Sequence, residues 1–333
     1  MKPEYIKNFE QLGMGLFCHF GLYSVIGKGE WWHTACQTPE ELAWYESHVD
    51  KFKIKKNWAK DLVSLAKKSG AKYITLTTRH HDGFSLYDTC GLNTYDAPHS
   101  ASKRDLIKEF ADECHKQGIK PFFYHTLLDW WNPDYKNNFP KYLEYLRKSV
   151  EILCKNYGEV GGFWFDGSWD KGSIEVWEFE KLYEVIRKHQ PEAMIINNTG
   201  MCDRGAVGNE EIDSVTFERG KPVEVKTNGK EIAGEMCDGI TDHWGYAKLD
   251  LCTKPFPYLL KSLIECRSNN CNYLINTGLM GDGSVNPREK YVLIDLGTWI
   301  KVNKNFIYNV KGVKDISSDN AVILKDDKYY YAV

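Results

Sequence analysis

Several signatures of common cofactor and nucleic-acid sites are missing from this 333-residue sequence. Its ten cysteines form no Cys-x-x-Cys pair, which argues against a zinc finger or a thioredoxin-like motif. No Gly-x-Gly-x-x-Gly follows the first predicted strand, which argues against a dinucleotide-binding sheet. The net charge is −3 and the basic residues form no block, so nucleic acid is not an expected partner.

Long hydrophobic runs are missing too. No run approaches the roughly 18 apolar residues of a membrane span, so no membrane partner is expected. The N-terminal segment MKPEYIKNFEQ has no apolar core of the kind found in signal peptides. We interpret the cysteines as reduced, buried side chains and expect a cytoplasmic protein, with secretion left open if the sequence has been trimmed. The oligomeric state is not indicated.

Aromatic side chains, in contrast, are abundant. They make up 14% of the residues, with 11 Trp and 20 Tyr, in a chain that is otherwise 42% hydrophobic and 27% charged. These proportions are typical of a globular protein. The aromatic residues have two interpretations: a large core, or a site that stacks sugar rings on flat aromatic faces.

Short apolar runs alternate with amphipathic helical patterns along the chain. Strands are predicted at 14–20, 71–83, 119–130, 161–167, 193–198, 214–218, 233–239 and 271–278. About eight such βα units predict an α/β protein with an irregular (β/α)8-like TIM barrel, and an open doubly wound sheet is the competing arrangement. No amphipathic helix is evident between residues 197 and 233, so the barrel is expected to be incomplete there.

The end of the sequence differs in pattern. The stretch AVILKDDKYYYAV alternates apolar and polar residues and turns at Asp326 and Asp327, which predicts a β-hairpin. We therefore divide the chain into a catalytic barrel, 1–310, and a C-terminal β segment, 311–333. The second segment resembles the start of a β-sandwich that this chain does not finish.

Polar residues follow the predicted strands where a parallel barrel would carry its site. They are His19, His80, His81, His125, Asp166 and Glu218. Metal-assisted hydrolysis could use the histidines and Asp166, and glycoside hydrolysis could use two carboxylates. Neither His-x-His nor His-Glu-x-x-His occurs, and His80 and His81 would point to opposite faces of an extended strand, so the carboxylate chemistry is favoured.

One stretch, GGFWFDGSWD, places Asp166 at the tip of an apolar strand, with Gly167 leaving room for a ring to approach. Further motifs occur along the chain before and after this stretch. They are GLFCHFGLYSV, the Glu30–Trp31 pair, TTRHHDGFSLYD, KRDLIKEF, FFYHTLLDW and CNYLINTGLMGDGSVN. Over about residues 10 to 310 the sequence resembles the α-L-fucosidases of glycoside hydrolase family 29.

The resemblance implies an exo-acting, retaining α-L-fucosidase that needs no metal or organic cofactor and acts on a fucosylated oligosaccharide or glycoconjugate. Asp166 matches the family's nucleophile. Glu218 best matches its acid/base residue, with Glu235 as the rival; the loop residues Glu210 and Glu211 are weaker alternatives.

The resemblance also implies a fucose pocket. Its matching residues are His19, Glu30, Trp31, His80 and His81 around the hydroxyl groups, and Phe17, Tyr124, Trp164 and Trp244 around the methyl group. One departure concerns Asn198 and Thr199, which stand where the family often has an arginine; Arg204 is a candidate replacement.

Two other functions stay open at this point. One is a related exo-glycosidase for another L-galactose-configured sugar with a different group at C5. The other is a non-catalytic barrel that binds fucose. The sequence does not indicate the fucosyl linkage.

Overall fold

Eight parallel strands close into a barrel in the order of the sequence. The computed structural model describes residues 2–173, 175–199, 207–223, 225, 230–316 and 321–333. The barrel strands are β1 (Met14–His19), β2 (Tyr73–Arg79), β3 (Lys120–Thr126), β4 (Gly162–Asp166), β5 (Met194–Asn197), β6 (Ser214–Thr216), β7 (Ala233–Gly239) and β8 (Cys271–Gly278). Closure is made by β8 against β1, from Met14 opposite Tyr273 to His19 opposite Gly278. The predicted (β/α)8-like barrel is confirmed, and the open sheet is wrong.

Helices surround this barrel. They are α1 (Glu4–Gln11), α2 (Tyr23–Ile26), α3 (Pro39–Glu46), α4 (Trp58–Ser69), α5 (Leu106–Gln117), α6 (Pro133–Asn137), α7 (Phe139–Asn156), α8 (Phe179–His189), α9 (Phe256–Ser268) and α10 (Pro287–Asn303). The sequence accounts for their limits. In α4, Trp58, Leu62 and Leu65 are buried on one face, and Gly70 ends the helix with φ of 90°.

The segment between β5 and β7 corrects one expectation. Ile196 of β5 pairs with Ser214 of β6, and Ser214 pairs with Ala233 of β7, so the barrel is not incomplete there. In the described part of this segment no helix separates these strands. Direct strand pairing therefore keeps the barrel closed through this segment.

The C-terminal residues form a small antiparallel sheet of β9 (Lys311–Gly312), β10 (Ile323–Lys325) and β11 (Tyr330–Ala332). The turn between β10 and β11 is closed by the Asp326 amide, which donates to the Tyr329 carbonyl at 3.0 Å. The predicted hairpin is confirmed. The division at residue 310 and the comparison with a β-sandwich stay predictions.

Aromatic rings fill the barrel interior. The Phe9 ring of α1 lies 5.5 Å from that of Tyr73 and 5.7 Å from that of Phe122, so α1 closes the N-terminal end of the barrel. Further along the axis, Tyr124 and Trp164 stack at 5.7 Å. The interior is therefore packed up to the carboxyl ends of the strands, where the pocket begins.

The cysteines divide into two groups. All nine that lie in the described ranges are free thiols, and the tenth, Cys202, lies outside those ranges. The prediction of burial is wrong for Cys90 and Cys252, which are exposed in loops, and for the partly exposed Cys36. Across the described residues, no helix combines the length and hydropathy needed to span a membrane.

Gly297 permits close packing of α10 on α4. A Cβ at this position would lie 1.8 Å from the carbonyl oxygen of Lys68. We expect Gly297→Ala to lower the free energy of unfolding by about 2 kcal/mol, because overpacking outweighs the roughly 1 kcal/mol by which alanine favours a helix. Urea unfolding measures this. The exposed neighbour Thr298→Ala is the control and should change stability by less than about 0.5 kcal/mol. Equal midpoints for both variants would contradict the close contact.

Candidate active site

A pocket opens at the carboxyl ends of the barrel strands. Its lining residues are Phe17, His19, Trp31, His80, His81, Tyr124, Trp164, Asp166, Trp169, Asn198, Glu218, Cys237 and Trp244. The structure thus brings together every residue predicted for the fucose pocket except Glu30, together with Asp166 and Glu218. The rival carboxylate Glu235 and the strand-end residue His125 lie outside the lining.

Asp166, the last residue of β4, is held by three side chains. Tyr124 Oη donates to Asp166 Oδ2 at 3.0 Å, Asn198 Nδ2 donates to Oδ1 at 3.2 Å, and His81 Nε2 lies 3.4 Å from Oδ2. Burial by itself raises the pKa of Asp166, but these polar contacts outweigh it and leave the pKa below its usual value. The site therefore keeps Asp166 ionised and oriented.

Asn198 joins the two carboxyl groups of the pocket. Its Nδ2 donates to Glu218 Oε2 at 2.7 Å as well as to Asp166, and its Oδ1 accepts from Thr216 Oγ1 at 2.8 Å. Because the two carboxylate oxygens share one donor nitrogen, they lie no more than about 6 Å apart, which is nearer the separation of retaining than of inverting glycosidases.

The pKa of Glu218 is raised, whereas that of Asp166 is lowered. Glu218 follows β6 and is largely buried. Burial raises the pKa of Glu218, and the negative charge of Asp166 raises it further, while the bond from Asn198 lowers it. Two carboxyl groups in one pocket are thus driven apart in pKa, which is the arrangement that separates a nucleophile from a general acid.

His19 and His80 in the pocket are buried and favour the neutral form. Burial lowers the pKa of His19 to about 4, although the bond between its Nδ1 and Asn276 Oδ1, 2.7 Å, opposes the shift. Burial also lowers the pKa of His80 well below its usual value, and His81 and His19 add to this. Neutral imidazoles can both donate to and accept from sugar hydroxyls.

His80 and His81 do not point to opposite faces as an extended strand would require. β2 ends at Arg79, and the chain turns so that the His80 carbonyl accepts from the Gly83 amide at 3.0 Å. Both rings consequently face the pocket, with centroids 4.2 Å apart. His81 is further fixed by its Nδ1, 2.7 Å from Thr126 Oγ1.

One side of the pocket is aromatic. The Phe17 ring lies 5.1 Å from Trp164 and 6.1 Å from Trp244, and Trp244 stacks on His19 at 5.5 Å. Arg219 covers the Trp244 ring at 4.6 Å. This wall offers apolar surface beside the polar side chains, as a 6-deoxy sugar would require.

Glu235 lies beneath this wall rather than in the pocket. Its carboxylate accepts from Trp164 Nε1 at 2.9 Å and from Tyr73 Oη. Burial raises the pKa of Glu235 to about 7. These contacts suit a residue that fixes the Trp164 ring.

Glu30 is also set back from the pocket. It is buried, and its Oε2 accepts from the Gly245 amide at 2.7 Å. This bond anchors the segment that carries Trp244. A direct contact between Glu30 and the sugar stays a prediction.

Sequence reasoning missed two lining residues, Trp169 and Cys237, and it missed the bridging function of Asn198. Trp169 could have been predicted, because it lies only three residues after Asp166 in the stretch GGFWFDGSWD. From sequence, Asn198 stands out only because the resembled family often has an arginine at this position. Arg204, named as a replacement for the missing arginine, lies outside the described residues.

The metal alternative finds no ligand group here. In the part of the chain that the structure describes, no three His, Cys, Asp or Glu side chains are grouped so as to hold a metal ion. His125 is buried outside the pocket lining, with its Nδ1 3.0 Å from the Thr126 carbonyl. The two carboxyl groups of the pocket, Asp166 and Glu218, can perform nucleophilic and acid–base chemistry.

Comparisons with known proteins agree with this geometry. Residues 2–305 match a family model described as Alpha-L-fucosidase. The tissue alpha-L-fucosidase of Bos taurus is 26% identical over 355 residues, covering 94% of this chain and 71% of that protein. Among solved structures, alpha-L-fucosidase isoenzyme 1 from Paenibacillus thiaminolyticus superposes with a TM-score of 0.87 at 30% identity, covering 97% of this chain and 81% of that one. Alpha-L-fucosidase AlfC from Lactobacillus casei, in complex with alpha-L-fucose product, superposes with a TM-score of 0.77 at 25% identity, covering 91% of this chain and 100% of that one.

Proposed function

The chain belongs to the alpha-L-fucosidase family of glycoside hydrolases, and from this premise we propose that it is an exo-acting, retaining α-L-fucosidase. It removes terminal α-L-fucosyl residues from fucosylated oligosaccharides or glycoconjugates by double displacement. Asp166 is the nucleophile and Glu218 is the acid/base residue.

In the first displacement, an Asp166 carboxylate oxygen attacks the anomeric carbon of fucose. The bond to the leaving oxygen breaks, and the Glu218 carboxyl gives its proton to that oxygen. The product is a β-linked fucosyl ester of Asp166. The lowered pKa of Asp166 and the raised pKa of Glu218 suit these two roles at the same pH.

In the second displacement, Glu218, now a carboxylate, accepts a proton from water. The water oxygen attacks the anomeric carbon and releases Asp166, which gives α-L-fucose. As the ester forms, Asp166 loses its negative charge, so the hydrogen bonds from Tyr124 and Asn198 are free to readjust. Two inversions restore the starting configuration.

Recognition of fucose follows from the two sides of the pocket. His19, His80 and His81 supply donors and acceptors for the hydroxyl groups, and Trp31 adds an indole edge. Phe17, Tyr124, Trp164 and Trp244 enclose the C5 methyl group, whose burial contributes about 0.8 kcal/mol. AlfC, which shares the fold, was solved with alpha-L-fucose, and this supports the choice of sugar.

The single observation that carries the proposal is the amide of Asn198 between Asp166 and Glu218. Because this one nitrogen donates to both groups, the two carboxylate oxygens lie no more than about 6 Å apart, which supports a covalent fucosyl intermediate. Neither a binding protein nor an inverting enzyme needs this spacing.

The test is hydrolysis of 4-nitrophenyl α-L-fucoside followed by proton NMR. α-L-Fucose should appear first, before mutarotation produces the β anomer. 4-Nitrophenyl α-L-galactoside is the matched control, because it differs only by a hydroxyl at C6; faster hydrolysis of this substrate would indicate the related glycosidase. β-L-Fucose as first product would exclude a retaining mechanism, and binding of fucose without turnover would indicate a non-catalytic barrel.

A further inference from the structure

Two tryptophans at the pocket mouth are unusually exposed. The exposed fraction is 44% for Trp31 and 37% for Trp169. Their rings lie nearly parallel, at 18°, with centroids 5.9 Å apart. Large apolar side chains exposed together beside a cleft are typical of a binding surface.

Both rings are held by neighbouring aromatic side chains. Trp31 packs edge-on against His81 at 5.7 Å and against Trp130 at 5.1 Å, and Trp169 packs edge-on against His81 at 6.1 Å. The turn that carries Trp169 begins at Gly167, with φ of 96°, and is held by Tyr135, whose hydroxyl donates to Asp170. The tryptophans are therefore held in place by neighbouring side chains although they are exposed.

We propose that Trp31 and Trp169 form a leaving-group subsite that stacks on the C–H face of a pyranose ring. This inference rests on the proposed function, which places fucose against Asp166. His81 links the two sites, because its Nε2 lies 3.4 Å from Asp166 Oδ2 and its ring contacts both tryptophans. The sugar bonded to fucose leaves the pocket beside these rings.

The chemistry of the surface favours a sugar over other leaving groups. An indole face attracts the polarised C–H groups on one face of a pyranose, while the hydroxyls at its rim stay in water. A small leaving group such as fluoride cannot reach this surface. The substrates served by the subsite are thus fucosyl disaccharides and larger glycans.

The test compares two kinds of leaving group in the 333-residue chain. The values of kcat/KM are measured for α-L-fucosyl fluoride and for fucosyl disaccharides, linked α1,2 to galactose or α1,3, α1,4 and α1,6 to N-acetylglucosamine. For Trp169→Ala, the ratio of disaccharide to fluoride kcat/KM should fall about tenfold for the disaccharide that the wild type prefers. Trp169→Phe, which keeps a ring, should restore most of that ratio.

Trp44→Ala is the matched control, because Trp44 is 45% exposed and does not line the pocket. It should leave the ratio unchanged. A ratio that stays constant in Trp169→Ala would overturn the subsite while leaving the proposed function intact. Hydrolysis of the fluoride but of no disaccharide would overturn both the subsite and the proposed oligosaccharide substrate, while leaving the proposed chemistry at Asp166 intact. If the folded wild type fails to hydrolyse the fluoride, the proposed function falls and the subsite falls with it.

Discussion

Asp166→Asn is expected to lower kcat for 4-nitrophenyl α-L-fucoside by about four orders of magnitude or more, which corresponds to roughly 5 to 6 kcal/mol of transition-state stabilisation. The amide cannot form the fucosyl ester. The fold should persist, because Asn keeps the size of the side chain and can still pair with Tyr124. Circular dichroism and steady-state kinetics measure both properties.

Asp170→Asn is the matched control for this variant. Asp170 lies four residues further along and is exposed, and an asparagine there can still accept from Tyr135, so this variant should retain nearly wild-type kcat. Asp166→Ala with added azide gives a second readout. Azide can replace the missing carboxylate in a single inversion, so the product should be β-L-fucosyl azide. Wild-type turnover by Asp166→Asn would show that another residue is the nucleophile.

The second large effect is expected for Glu218→Gln. For a disaccharide, whose leaving oxygen needs a proton, kcat/KM should fall about 10²- to 10⁴-fold. For 2,4-dinitrophenyl α-L-fucoside the fall should be at least about tenfold smaller, because this leaving group departs without protonation. Azide should rescue Glu218→Ala as α-L-fucosyl azide, since it then attacks the ester formed by Asp166.

The pH dependence of kcat/KM tests the role of Glu218 independently. Burial and the charge of Asp166 raise the pKa of Glu218, so the acid stays protonated to a higher pH than an ordinary glutamic acid. Wild-type kcat/KM should therefore fall as pH rises through this raised pKa, and this basic limb should be missing in Glu218→Gln. The acid limb belongs to Asp166, whose lowered pKa moves it to lower pH.

Glu235→Gln separates the two candidate acids. Glu235 accepts from Trp164 and Tyr73, so its variant should weaken substrate binding and stability without dependence on the leaving group. If instead Glu235→Gln shows the leaving-group dependence and Glu218→Gln does not, the acid/base assignment is wrong.

Strand ends made much of this site predictable from sequence. Continuous apolar runs such as the one before Asp166 identify buried parallel strands, and the barrel geometry gathers their last residues at one face. That logic correctly grouped His19, Tyr124, Asp166 and Glu218 without knowledge of any contact between them.

The other features of the site could not be predicted, because they depend on contacts between residues far apart in the sequence. The turn after Arg79, which brings His80 and His81 to one side, is set by hydrogen bonds to Gly83 and to a distant strand end. Asn198 bridges Asp166 and Glu218, which are 52 positions apart in sequence and become neighbours only in the folded barrel. Closure of the barrel between β5 and β7 likewise depends on strand pairing through Ser214, which helical periodicity cannot reveal.

Closure of the barrel by its first and last strands constrains how the protein is made. His19 bonds Asn276, which lies 257 positions along the chain, and β1 has only β2 to pair with until β8 is available. A nascent chain leaving the ribosome therefore carries an unpaired edge of β1 through most of its synthesis. Contacts of such long range form slowly, so the pocket is completed late, after nearly the whole barrel has been translated.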